Sequence, residues 1–303
     1  MDHSIVIKVD HLAHRYWSKA IYADLNFSIP PGKVYGLLGK NGVGKTTLIK
    51  ILMGFLRPES GRCKGFGENS HELSPATRAR IGLLFEGHVA YEFMTIRQIE
   101  RFYAPFYPRW DRNLFYRMVD KLGLPDNHLI RNMSCGQRSQ VVLGLIMAQQ
   151  PDLLILDDYS IGLDAGYRRL FLDDLREYLG SGQRTVLLTS HVIQDMARFV
   201  DEVIFLERGG GLLQTSLADF KRSFKCFRVP RNGSGDFPME QVKQTPNGVI
   251  KNIETHSDYW DLFGFAERDQ VLDAVSDLGW HVDALEEVSM DLEDAFIGYT
   301  GRS

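Results

Sequence analysis

Nine consecutive residues, Gly39-Lys40-Asn41-Gly42-Val43-Gly44-Lys45-Thr46-Thr47, limit what this chain can fold into more than any other stretch. They fit the pattern G-x-x-x-x-G-K-[S/T] at every fixed position. Such a loop must curl so that successive backbone N–H groups point inward at a polyphosphate, and glycine permits the backbone angles this requires. Lys45 then supplies a point charge to the β- and γ-phosphates, and the Thr46 hydroxyl is placed to ligate Mg²⁺. The flanks agree with the motif. Val34-Tyr35-Gly36-Leu37-Leu38 reads as a buried strand, while Leu48, Ile51, Leu52, Phe55 and Leu56 recur at helical spacing, so the phosphates would meet a helix N-terminus.

Composition narrows the class. A length of 303 residues suggests two domains, and 44% hydrophobic content is ample for packed cores. The longest apolar run, near Val141 to Ala148, is far short of the roughly 20 residues a spanning helix needs. Met1-Asp2-His3-Ser4 lacks the basic and apolar pattern of a secretory signal, which predicts a cytoplasmic chain. Cys63, Cys135 and Cys226 are few, odd in number and widely spaced, against a disulfide framework or metal cluster. A formal charge of −4 with mixed signs gives no nucleic-acid footprint.

From the N-terminus, Ile5, Ile7 and Val9, then Leu25, Phe27 and Ile29, alternate as half-buried strands do. Between them lies Arg15-Tyr16-Trp17, an aromatic pair that is placed either to stack on a nucleotide base or to pack on an edge strand. Arg80 to Glu86 reads as another short strand. From Tyr91 to Tyr116 the residues Phe102, Tyr103, Phe106, Tyr107, Trp110 and Phe115 crowd into a mostly helical pattern, which we read as an insertion. Its rings serve either internal packing or a docking surface. Ser134 is a sensible N-cap for the helix carrying Val141, Val142, Leu145 and Ile146. Leu153-Leu154-Ile155-Leu156 then resembles the central strand of a parallel sheet. It ends in Asp157-Asp158, where open α/β folds bind ligands. Ile161-Gly162-Leu163-Asp164 makes a turn before a helix from Tyr167 to Leu179, and Thr185 to Ser190 reads as a strand with His191 just past its end.

Gly-rich turns at 209–211 and 232–235 mark the way into a second unit. There Cys226 to Val229, Val249 to Ile253 and Tyr259 to Phe265 read as strands, Asp269 to Leu278 as a helix and Trp280 to Leu285 as a further strand.

The order of the glycine loop, Glu86, Ser134-Cys135-Gly136-Gln137, Asp157-Asp158, Leu163-Asp164 and His191 resembles the ATP-binding subunit of ABC transporters, over about Val6 to Leu213. The closing segment Val288 to Phe296 resembles that of exporter ATPases whose membrane permease is a separate chain. The resemblance implies an α/β fold: a P-loop NTPase core with an antiparallel β subdomain and a helical insertion at about 88–148, together forming a nucleotide-binding domain over 1–220. A small C-terminal α+β accessory domain would span 221–303.

Carried over by position, Tyr16 would stack on adenine. Gly39, Asn41, Gly42, Gly44, Lys45, Thr46 and Thr47 would hold the phosphates. Thr46, Asp157 and Glu86 would serve Mg²⁺, and Asp158, His191 and Glu86 would act on the attacking water and γ-phosphate. Ser134 and Gly136 would contact ATP across a dimer, because this family sandwiches two ATP molecules between two subunits, and Gln137 and Asp164 would also serve nucleotide binding. One loop and one signature per chain thus imply a dimer, either a homodimer with a tolerant site or a heterodimer of ATPase subunits. The function implied is Mg²⁺-dependent ATP hydrolysis that drives an exporter, with the chain held on the inner face of the cell membrane through a separate permease and without nucleic acid. The alternatives are a soluble regulatory or mechanical ATPase of the same type, or the weaker half of a heterodimer.

Three departures bear on that reading. Glu86 stands where glutamine is common. Cys135 replaces a glycine, which costs on the order of 1 kcal/mol if the position needs φ > 0. Asp158 stands where glutamate is usual. One methylene less withdraws the carboxylate by roughly 1.5 Å, and a misplacement near 1 Å can cost about 10²-fold in rate.

Overall fold

The structure, a computed structural model, describes residues 5–85, 91–180, 184–190, 192–231, 249–277, 282 and 284–301. They form two compact units: Met1–Val192 with Phe199–Gln214, and Ile193–Arg198 with Thr215–Ser303.

The first unit opens with β1 (Ile7–Tyr16) and β2 (Lys19–Ile29), a long antiparallel hairpin in which Ile7 faces Ile29 and Tyr16 faces Lys19. After β3 (Val34–Leu38) and α1 (Lys45–Leu52), the strands β4 (Ser60–Gly65) and β5 (Glu68–Asn69) complete a four-stranded sheet of order β2-β1-β4-β5. Its alternating inward residues, Ile7, Val9, Leu25, Phe27 and Ile29, join one core with Leu37, Leu48, Ile51 and Leu187. That shared core holds the hairpin against the glycine loop.

A short helix α2 (Pro75–Arg78) leads to β6 (Ile81–Leu84). Then come α3 (Ile96–Tyr103), α4 (Arg112–Asp120) and α5 (Cys135–Ala148). They are followed by β7 (Leu153–Leu156), α6 (Ala165–Gly180) and β8 (Thr185–Leu188). α7 (Ile193–Met196) belongs to the second unit, and the chain returns to the first for β9 (Glu202–Leu206) and for β10 (Leu212–Ser216) up to Gln214. The second sheet has the order β10-β9-β3-β8-β7-β6, with parallel pairing of β3 to β8 and β9 and of β7 to β6 and β8. Every residue of β3, β7 and β8 is buried, as strands covered on both faces must be. Their carboxyl ends therefore open on one edge, from which the glycine loop and Asp157-Asp158 emerge.

The helical insertion is stapled by charge as well as by apolar contact. Glu100 is completely buried, and its carboxylate accepts from Trp110 Nε1 at 3.0 Å and from Arg112 Nε and Nη2 at 3.0 and 2.9 Å. The insertion's rings divide between two roles. Phe115 is fully buried, whereas Tyr91, Phe93, Phe102 and Phe106 are exposed and meet one another edge-on, with neighbouring centroids 5.0–6.0 Å apart.

The second unit continues with α8 (Leu217–Ser223), β11 (Lys225–Pro230), β12 (Asn252–Thr255), β13 (Tyr259–Gly264), α9 (Arg268–Asp277), β14 (Glu286–Val288) and α10 (Leu292–Thr300). Its sheet, of order β12-β13-β11-β14, is antiparallel throughout. Alternation sorts the two faces. Phe227, Val229, Ile253, Trp260 and Leu262 share a core with Val271 and Val275 of α9, while Phe220, Phe224, Phe263 and Tyr299 form an aromatic cluster. The last strand differs from the expected Trp280–Leu285. Residues 280, 281 and 283 lie outside the described set, residues 284–285 are not strand, and the pairing falls on Glu286–Val288 against β11. Asp291 caps α10, its side chain accepting from Asp294 N at 2.8 Å.

Candidate functional site

The glycine loop leaves β3 and enters α1 through backbone angles that only glycine adopts freely: φ is +76° at Gly42 and +115° at Gly44. Gly39 is needed for closeness, since a Cβ there would lie 2.6 Å from the Leu206 carbonyl oxygen and 2.8 Å from Val43 Cγ2. The loop is also held from the antiparallel sheet, where the buried Tyr22 hydroxyl donates to the Gly44 carbonyl. Burial drives the Tyr22 phenol well above its usual range, so it stays a donor.

Lys45 curls back over the loop, its Nζ donating to the Gly39 and Lys40 carbonyls at 2.6 and 3.2 Å. Burial pushes its ammonium below the ordinary lysine value, against the opposing pull of Asp158 and Asp157. A half-buried ammonium at the head of a glycine loop is a strong seat for polyphosphate, and the two carboxylates opposite favour its charged form.

Facing the loop, the end of β7 is locked to the end of β8. Thr189 Oγ1 donates to Asp157 Oδ1 at 2.9 Å and accepts from Asp158 N at 2.7 Å. Ser160 Oγ donates to Asp158 Oδ1 at 3.1 Å and lies 3.0 Å from Ser190 Oγ. Asp158 has φ +50°, a left-handed position that aspartate tolerates better than most residues. Strain of this kind, of order 1–3 kcal/mol, gathers where function over-determines the backbone.

These residues enclose a cleft of about 350 Å³ lined by Tyr16, Asn41, Gly42, Gly44, Lys45, Thr46, Thr47, Asp157 and Asp158, all expected from the sequence, together with Lys19, Ile21 and Thr189. Tyr16 is partly exposed, lies edge-on to His14 and brings its hydroxyl 3.5 Å from Thr47 Oγ1. Thr46 and Asp157 offer hard oxygen donors, which suit Mg²⁺. No group of three or more His, Cys, Asp or Glu among the described residues is placed to hold a metal alone. A cation here would share its coordination with phosphate and water, as Mg²⁺ commonly does.

Ser134, Gly136 and Gln137 do not line the cleft. They start α5 with a capping box, Ser134 Oγ accepting from Gln137 N at 3.2 Å and Gln137 Oε1 from Ser134 N at 2.9 Å. Gly136 admits the Tyr167 ring, which a Cβ would meet at 2.3 Å. Cys135 is an ordinary first helical residue, absent from the described non-glycine positions with φ > 0, so the strain anticipated for it does not arise. Asp164 accepts from Tyr167 N at 2.9 Å, at the start of α6. Glu86 and His191 lie outside the described residues.

Lys19, Ile21 and Tyr22 went unread because they act from another sheet. Thr189 carried one faint signal, its place at the end of an apolar strand beside His191.

Residues 22–160 match the sequence profile of a family described as "ABC transporter". The chain is 26% identical over 312 residues to Nod factor export ATP-binding protein I of Ralstonia nicotianae, covering 98% of this chain and 94% of that protein. It is 29% identical over 264 residues to bacitracin transport ATP-binding protein BcrA of Bacillus licheniformis, covering 84% and 83%. Among solved structures, the fold is shared with "Structure of ATP binding subunit of ABC transporter" at a TM-score of 0.63 and 23% identity, over 72% of this chain and 92% of that one.

Proposed function

We propose, from the premise that this chain carries the ATP-binding domain of an ABC transporter, that it hydrolyses ATP to power an export system whose permease is a separate chain. The observation that carries the reading is the cleft in which the Lys45 ammonium, the Thr46 hydroxyl and the strand-end pair Asp157 and Asp158 face one another beside Tyr16. A relative named for Nod factor export supports the direction of transport.

In this reading adenine stacks on Tyr16 and the loop amides of Asn41 to Thr47 take the phosphates, with Lys45 moving off the Gly39 carbonyl to meet them. Thr46 and Asp157, with Glu86, would hold Mg²⁺, which when bound neutralises charge developing on the phosphates. Asp158 orients and polarises the attacking water, with Thr189 fixing its backbone and Ser160 its side chain. His191 and Glu86 would act on the γ-phosphate. Ser134, Gly136 and Gln137 face the nucleotide of a second ATPase subunit, so ATP binding closes a dimer and hydrolysis reopens it.

The reading gives the nucleotide work to residues 1–220 and an accessory role to 221–303. No helix among the described residues is long and apolar enough to cross a membrane. The chain would sit on the cytoplasmic face, with the exposed rings Tyr91, Phe93, Phe102 and Phe106 as the surface met by the permease. The short carboxylate of Asp158 and its strained backbone favour one variant, a heterodimer in which this chain supplies the slower half of a site.

Light scattering of the purified chain with ATP and no Mg²⁺ tests the closed dimer. The expected outcome is a dimer that needs ATP and is lost in Lys45→Ala. A chain that binds ATP yet stays monomeric alone and in the presence of any second ATPase subunit contradicts it.

A further inference from the structure

The antiparallel sheet brings a second cation to the glycine loop. β1 and β2 are joined through Trp17 and Ser18, and the pair Tyr16↔Lys19 closes the hairpin. Residues directly opposite each other in an antiparallel pair send their side chains to the same face. For this pair the shared face is the one toward the loop, since both side chains line the cleft.

They reach different parts of it. The Tyr16 hydroxyl approaches Thr47, at the helix end of the loop. Lys19 Nζ lies against the middle, where a Cβ built on Gly42 would meet it at 3.9 Å and meet nothing else within 4 Å. Among the described residues, no interaction ties that ammonium elsewhere. Lys8, Lys33, Lys121 and Lys225 each sit against a carboxylate, whereas the Lys19 ammonium has no hydrogen bond or ion pair among the described residues. Lys45, by contrast, is tucked onto two carbonyls of its own loop. The cation presented to the mouth of the cleft is therefore Lys19, which lies 26 residues before Lys45 and outside the motif.

We propose that Lys19 is a second phosphate-binding cation of this cleft, closing on the distal phosphates of a nucleotide whose base rests on Tyr16. The inference rests on the reading of the cleft as an ATP site. A ligand spanning the cleft then bridges two sheets: its base and distal phosphates are held by one hairpin, while the loop holds its phosphates from below. Selectivity for polyphosphate over nucleoside follows, because an ammonium at this place gains attraction with each phosphate charge and nothing from the base.

The test is equilibrium binding of ATP, ADP and adenosine to full-length wild type, Lys19→Gln and Lys19→Arg, without Mg²⁺ so that no turnover intervenes. Lys19→Gln should weaken ATP about threefold to tenfold and ADP less, with adenosine unmoved and the ATP loss shrinking at high salt. Lys19→Arg should hold ATP within about twofold of wild type, since the charge is kept. Equal weakening of ATP and adenosine would mean that Lys19 only shapes the hairpin around Tyr16, and no weakening of ATP would mean that it binds nothing; either result overturns the proposal. Wild type that is folded yet binds neither ATP nor ADP overturns the reading of the cleft itself, a result separable from both.

Discussion

Gly44→Ala puts the fit between the glycine loop and the antiparallel sheet to a quantitative test. Gly44 has φ +115°, outside the range an L side chain adopts readily. A Cβ there would lie 2.4 Å from the Tyr22 hydroxyl oxygen, 2.5 Å from Ile21 Cγ2 and 2.8 Å from Tyr22 Cζ. All three are closer than real Cβ contacts come. Neither neighbour can retreat easily, because Tyr22 and Ile21 are buried in the same core. The backbone term is about 1–2 kcal/mol and the overpacking term about 1–3 kcal/mol. Displacing the Tyr22 hydroxyl from the Gly44 carbonyl adds about 1 kcal/mol.

The sum, about 3–6 kcal/mol, rivals the whole stability of many domains. Gly42→Ala is the internal control, since it keeps a positive φ of +76° but meets only Lys19 Nζ, at 3.9 Å. It should cost about 1 kcal/mol. Urea unfolding followed by circular dichroism, with and without ATP, reads both variants. Gly44→Ala should unfold at distinctly lower urea than Gly42→Ala and lose ATP-induced stabilisation. Equal midpoints for the two, with ATP still stabilising Gly44→Ala, would refute the reasoning.

Two further outcomes follow from buried groups. Arg112→Ala leaves the fully buried Glu100 carboxylate with Trp110 as its only side-chain donor among the described residues, and should destabilise the chain by about 2–4 kcal/mol in the same titration, because Arg112 itself is partly solvated. Arg112→Lys should restore part of this, and an Arg112→Ala chain as stable as wild type would remove the staple. Burial pushes the Cys63 and Cys226 thiols up to about 12, while Cys135 is exposed. At pH 8 the native chain should therefore take up one maleimide, at Cys135, and three only when unfolded; mass spectrometry that finds Cys63 or Cys226 labelled in the native chain contradicts the packing.

What could be read from the sequence was whatever has a local signature. The glycine loop declared itself because a motif, a buried strand and an amphipathic helix coincide within about 20 residues, and Asp157-Asp158 because an apolar run of four ends there. Tyr16 could be placed by its hairpin, and Ser134 by the capping pattern that Gln137 completes. Lys19 and Tyr22 could not, since their roles arise when one sheet packs on another and no spacing encodes that. The expected strand at Trp280–Leu285 followed apolar alternation, whereas the observed Glu286–Val288 is a three-residue edge strand with no buried position and no pattern to detect. A cysteine in place of a signature glycine suggests strain at Cys135, yet helix geometry suits it. Asp158 carries the left-handed backbone instead, where Thr189 accepts from its N–H and Ser160 donates to its carboxylate.

The central claim is that the carboxylates facing Lys45 make this cleft a site of ATP hydrolysis. Turnover of Mg²⁺-ATP by the purified chain, together with its permease or second subunit where these are needed, measured for wild type beside Asp158→Asn at matched ATP occupancy, tests it most directly. The account predicts Mg²⁺-dependent turnover in wild type and, in the variant, undiminished ATP binding with turnover lower by about 10² or more. Asp158→Asn hydrolysing ATP at the wild-type rate would contradict it.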